Sequence, residues 1–111
     1  MFTIQSNQSF SANATVANVL SGNQFEFIPY DAHIEVLGSM SATGLSYSMY
    51  ANNELLFSNV LPNIKAANNP VYPDDLILAF DAAAGTRLVL SVTNSTGGAL
   101  TGAYIVRGSN L

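Results

Sequence analysis

At 111 residues, 49% of them apolar, the chain is sized for one domain with a real core. Three cations against seven acids give a net charge of −4, which excludes nucleic-acid binding, since neutralising phosphates needs clustered cations. The chain has no cysteine, so neither a disulfide framework nor a thiolate metal site is available to it.

Charged residues make up 9% of the chain, against about 25% in an ordinary soluble domain, and Ser, Thr and Asn supply the polarity instead. Such a surface repels its own copies weakly. The expectation is that copies of the chain or a partner cover much of it. Met1 to Gln5 carries no basic leader segment, and no apolar run approaches the ~18 residues of a membrane span. The chain therefore reads as one made in the cytoplasm, without a membrane span.

Residues 1–12 place Phe2, Ile4 and Phe10 at one parity in a Ser- and Asn-rich background, as one face of an extended strand would. They predict either an edge strand or an arm whose apolar side chains anchor on a neighbouring subunit. A short apolar run at 16–20 ends in the turn Ser21-Gly22-Asn23. Residues 24–28 alternate, with Phe25 and Phe27 on one face, and Pro29 stops them. Residues 32–37 predict a strand with Ile34 and Val36 inward and His33 and Glu35 outward, and Gly38 marks a bulge or bend.

After the turn at 41–44, Leu45, Tyr47 and Met49 share a face. Residues 54–60 form another strand, so that 32–60 reads as a meander. Residues 61–72, with Pro62 and Pro70, predict a long loop or crossing segment. Residues 76–80 are apolar on both faces. Asp81 to Gly85 resembles one helical turn, with Asp81 as N-cap and Gly85 as its left-handed stop.

The last third, Gly85 to Arg107, holds two alternating runs. Leu88, Leu90 and Val92 share one face, as do Leu100, Tyr104 and Val106, with the turn-forming Asn94 to Gly98 between them. This predicts a long antiparallel hairpin. About eight strands and no helix longer than a turn describe an all-β antiparallel sandwich, jelly-roll-like in its arithmetic of two sheets of about four strands. Residues 1–12 form the arm or edge strand of this organisation, and 13–111 a single sandwich domain.

Few residues carry chemistry. His33 is the sole histidine, and its place beside Glu35 on an outer strand face suits an exposed or interface side chain. Asp74 and Asp75 are the one adjacent carboxylate pair; a turn that caps backbone N–H groups explains them more simply than a cation site. Asn13 and Asn94 begin glycosylation-type triplets, which a strand edge and a turn account for, and the glycines show no phosphate-loop spacing. No catalytic, cofactor or metal residue is assigned, and the chain is not read as an enzyme. Tyr47 and Tyr104 fall on core faces, which leaves Tyr30, Tyr50 and Tyr72 as the exposed aromatics. With Phe2, Ile4 and Phe10 they make up the expected subunit interface.

Two stretches carry a resemblance. Val16 to Phe27 runs into Pro29 to Val36, and Pro70 to Leu76 is followed by Asp81 to Leu88. Together these resemble small all-β proteins of bacteriophage virions, namely capsid, vertex or decoration subunits, over roughly residues 13 to 107. The resemblance implies a structural protein of the virion, made in the host bacterial cytoplasm and partnered by copies of itself and other capsid proteins. It carries over no catalytic residue and no cofactor. The alternative is a carbohydrate- or receptor-binding sandwich of a fibre or adsorption apparatus, which would gather Tyr30, Tyr50 and Tyr72 around one groove.

Overall fold

Two-residue periodicity becomes two sheets packed face to face. The computed structural model describes residues 1–65, 70 and 74–111. Among these lie β1 (Phe2–Phe10), β2 (Thr15–Val16), β3 (Ala32–Met40), β4 (Leu45–Ala51), β5 (Glu54–Val60), β6 (Asn63–Ile64), β7 (Leu76–Ala82), β8 (Leu88–Asn94) and β9 (Leu100–Asn110), with no helix. One sheet runs β1–β9–β3, with β7 and the two-residue β6 sharing the far side of β3; the other runs β2–β8–β4–β5. Every pairing is antiparallel except β3 with β6. The pairs are nested: β1 with β9, β2 with β8, β3 with β7, and β4 with β5 at the centre. The radius of gyration, 13.2 Å, is that of one packed unit of this length.

Inward side chains meet between the sheets. Ile34 and Val36 on β3 and Tyr104 and Val106 on β9 face Leu45, Tyr47 and Met49 on β4 and Leu88, Leu90 and Val92 on β8, and all of them are buried. β1 adds Phe2, Ile4 and Phe10. Leu37, of the opposite parity, is also buried, beside the point where β7 carries one extra residue against β3.

Tyr47 ties the two sheets together. It belongs to the second sheet, yet its hydroxyl reaches the first, 2.9 Å from the Ser39 carbonyl on β3 and 3.1 Å from that of Ala103 on β9. The ring fits because Gly38 and Gly102 lie beneath it: a Cβ on either would sit 2.7 Å from a Tyr47 atom. Burial pushes its phenol pKa well above the ordinary tyrosine range, and the nearby Tyr104 adds to this, so the hydroxyl stays a donor.

Several expectations need correcting. The run 85–107 is not a hairpin, because β8 and β9 lie in different sheets and the turn between them arches across the sandwich. Asn94, fully buried, holds that arch: its Nδ2 donates to the Phe10 and Gly98 carbonyls, and its Oδ1 accepts from the backbone and hydroxyl of Thr96. Residues 32–60 are likewise not a meander, since β3 and β4 sit in opposite sheets and only β4 and β5 pair. Alternation reports which face a side chain takes, not which strand lies beside it.

Residues 24–28 form no strand. Phe25 is half-buried, stacked on Phe2 at 4.8 Å between ring centroids, while Phe27 meets Arg87 only through an isolated bridge and is 57% exposed. Asp81 caps no helical turn; it lies within β7, opposite His33.

Candidate interaction surface

Phe2, Ile4 and Phe10 are 4%, 5% and 2% exposed, seated in the chain's own core by the unbroken register of β1 with β9. The Phe2 ring lies flat over Gly108, its cross-strand neighbour, where a Cβ would collide with it. Of the two readings of residues 1–12, the structure adopts the edge strand, and these three side chains face inward rather than toward a neighbour. Of the expected exposed tyrosines, Tyr30 is half-buried against Phe2, and its hydroxyl is buried without a partner among the described residues. Tyr50 lies opposite Val89 and Leu55 on the outer face of the second sheet, partly exposed. Tyr72 lies outside the described residues.

Among the described residues, the large apolar side chains that are at least half exposed sit at the two ends of the sandwich. At one end β3 begins, the β4–β5 turn closes and both termini meet. Here Leu111 donates its N–H to the Asp31 carbonyl, and the terminal ammonium of Met1 contacts Asn110 Oδ1 at 3.4 Å. This end presents Met1 (85% exposed), Leu111 (70%), Phe27 and Leu55 (50%). The other end presents Leu61 (63%) and Ile64 (57%) beside the C-terminal end of β3.

The first end is braced by a polar hub. Glu26 is nearly buried; its Oε2 accepts from Arg87 Nε at 2.7 Å and from Asn18 Nδ2 at 3.3 Å, and its Oε1 accepts from the Gly22 N–H at 3.0 Å. The Arg87 hydrogen bond first, and then that of Gly22, hold its carboxyl pKa below the usual range. Asn18 Oδ1 accepts from the N–H groups of both Leu20 and Leu90, so residues 18–26 are pinned along β8 without forming a strand.

On the opposite flank, where β5 and β7 part, a cavity of about 250 Å³ opens between Phe57, Val60, Leu61, Leu76 and Ile77. Asp75, fully buried, lies at its wall. Its carboxylate meets Lys65 Nζ at 3.0 Å and accepts from Asn63 Nδ2 at 2.9 Å, so the chain itself supplies the positive charge there. Asp74 is exposed and gives its carbonyl to the same Asn63 amide. Both aspartates lie in a turn, as their sequence predicts, and the Asp75 carboxylate is turned inward onto Lys65 and Asn63. Among the described residues no three of His, Asp and Glu converge on one point.

On the outer face of the first sheet, Arg107 pairs with Glu35 at 3.0 Å across β9 and β3. His33 Nδ1 lies 2.7 Å from Asp81 Oδ1, with side chains 42% and 64% exposed. Ser109 is the other cross-strand neighbour of His33, so Ser, His and Asp share one rung of β9, β3 and β7. Among the described residues no hydrogen bond joins His33 to Ser109, and the His33–Asp81 contact is exposed to water.

Sequence reasoning misses this rung because it places Asp81 in a turn. It misses the exposure of Phe27 because alternation alone puts Phe27 beside Phe25. No protein-family model, curated protein or solved structure matches the chain.

Proposed function

We propose that this chain is a structural subunit of a virion, a capsid, vertex or decoration protein that acts by packing against copies of itself and other shell proteins. On this reading its place is the virion, after synthesis in the host bacterial cytoplasm. The observation that carries it is the pairing of a charge-poor surface with six large apolar side chains at least half exposed at the two ends of a rigid sandwich. A freely diffusing monomer seldom leaves apolar surface so little guarded by charge. The nested order supports a jelly-roll reading, with β1–β9–β3–β7 facing β2–β8–β4–β5 and β6 as an added rung. Jelly rolls serve capsids and lectins alike, so the fold leaves the function to its surfaces.

The binding-module reading needs tyrosines gathered around a groove. Tyr30 packs against Phe2 of the first sheet while Tyr50 lies on the outer face of the second, so these two line no common groove. Electron microscopy of the purified chain, alone and mixed with the shell proteins of its source, tests the proposal. Regular assemblies or decorated shells are expected. A dispersed monomer that neither assembles nor decorates, yet is retained on immobilised glycans, would overturn it in favour of the binding module.

A further inference from the structure

We propose that β1 is a pairing edge for a second copy of this chain, with the two β1 strands antiparallel across a two-fold axis. One side of β1 is closed by nine residues of β9, from Phe2 opposite Gly108 to Phe10 opposite Leu100. The other side meets no strand among the described residues, and Asn94 Nδ2 takes the Phe10 carbonyl at its end. A row of outward N–H and C=O groups is left along the strand, and such a row is a template for another chain.

Edges are normally guarded by charge, proline, a bulge or brevity. The other outer strands show these guards. β2 and β6 have two residues each. β5 carries Glu54, two irregularities in its register with β4, and Asn59 at φ 53°. β7 carries Asp81 and a register shift against β3. β1 has none: Phe-Thr-Ile-Gln-Ser-Asn-Gln-Ser-Phe is nine residues long, unbroken in register, and free of charge, proline and glycine.

A second copy fits this edge because an antiparallel strand is complementary to itself. A two-fold axis through Ser6 sets Phe2 beside Phe10 of the second copy, Ile4 beside Gln8, Thr3 beside Ser9 and Gln5 beside Asn7. Inward residues meet inward residues, and the outward pairs are uncharged and able to hydrogen-bond. None of the seven acids lies on β1, so the net charge of −4 does not oppose the approach. A nine-residue pair closes about eight main-chain hydrogen bonds, near the roughly ten of a whole standard interface. The first sheets of two copies would then run on as one. This deepens the self-assembly reading above by naming the surface.

The test uses the full chain with two double variants, Gln5→Lys with Asn7→Lys and Gln5→Glu with Asn7→Glu, compared by sedimentation velocity at moderate salt. The changed side chains point outward, and circular dichroism verifies that each variant is folded. In the proposed register positions 5 and 7 face each other across the axis, so each variant opposes like charges twice and should dissociate about tenfold more readily than the wild type. An equimolar mixture should re-pair. If both variants associate as tightly as the wild type, or folded variants fail to re-pair when mixed, β1 is not the contact, while assembly through another face stands. A wild-type chain that is monomeric throughout would overturn both the edge pairing and the assembly reading.

Discussion

Replacing Tyr47 by phenylalanine removes one oxygen from the centre of the molecule and nothing else. The hydroxyl donates across the sandwich to carbonyls on two strands of the opposite sheet, at 2.9 and 3.1 Å, from a side chain that is 0% exposed. Water cannot replace it without opening the sheets. A buried group deprived of its partner costs ~1–3 kcal/mol. At ~2.1 cal/mol/K per residue of unfolding entropy, this chain loses ~4 °C of Tm per kcal/mol, so Tyr47→Phe should melt ~4–13 °C below the wild type. Tyr104→Phe is the internal comparison. Its hydroxyl lies 3.3 Å from both Gln8 Oε1 and the Val19 carbonyl, with the Ser6 side chain also in reach as an alternative partner, and should lose less. Thermal melts followed by circular dichroism at one fixed protein concentration decide the matter. A Tyr47→Phe loss within ~0.5 kcal/mol of zero, or a larger loss for Tyr104→Phe, would refute the bridging role.

Leu90→Ala, in the middle of β8 and fully buried, should cost ~2–5 kcal/mol in urea unfolding, and a loss under ~1 kcal/mol would mean the core faces are misassigned. Removing residues 1–10 strips Phe2, Ile4 and Phe10 from the core at ~1.5–3 kcal/mol each, a large part of a whole domain's ~5–15 kcal/mol, so the truncated chain should not unfold cooperatively. An unchanged melt would contradict the placement of β1. The folded Glu26 carboxyl has a pKa below its unfolded value, so its stabilisation is present above the ordinary carboxylate pKa and fades as pH falls through the folded one. The stability gap between wild type and Glu26→Gln should therefore be widest near neutral pH and shrink below about pH 4.5; a gap independent of pH would contradict the Arg87 pairing.

The longer strands are largely legible in the sequence, because β1, β3, β4, β8 and β9 alternate, and β5 and β7 stand out as apolar runs between turn-forming residues. Spacing alone puts Leu45, Tyr47 and Met49 on one inward face and gives Phe2, Ile4 and Phe10 a common face, though not that this face turns into the chain's own core. Neighbour relations are not legible. The shared parity of Leu88, Leu90 and Val92 suits a hairpin and an arch equally, and the difference at Asn94 lies in side-chain hydrogen bonds to residues far away in sequence, such as Phe10. Phe27 has the spacing of a core residue but lies in a segment pinned by Asn18 and Glu26, where polar contacts override the period. The interaction surface is half legible. Charge poverty points to contacts and the composition of residues 1–12 marks them as unusual, but the backbone edge rather than the aromatic side chains is what they leave free.

Self-association is the property on which the role proposed for this chain rests. Light scattering on the eluting peak of a size-exclusion column, over a wide range of loading concentrations, measures this most directly. The expected mass is a multiple of 11.7 kDa that falls toward it only on dilution. A peak that stays at 11.7 kDa at every concentration would contradict it.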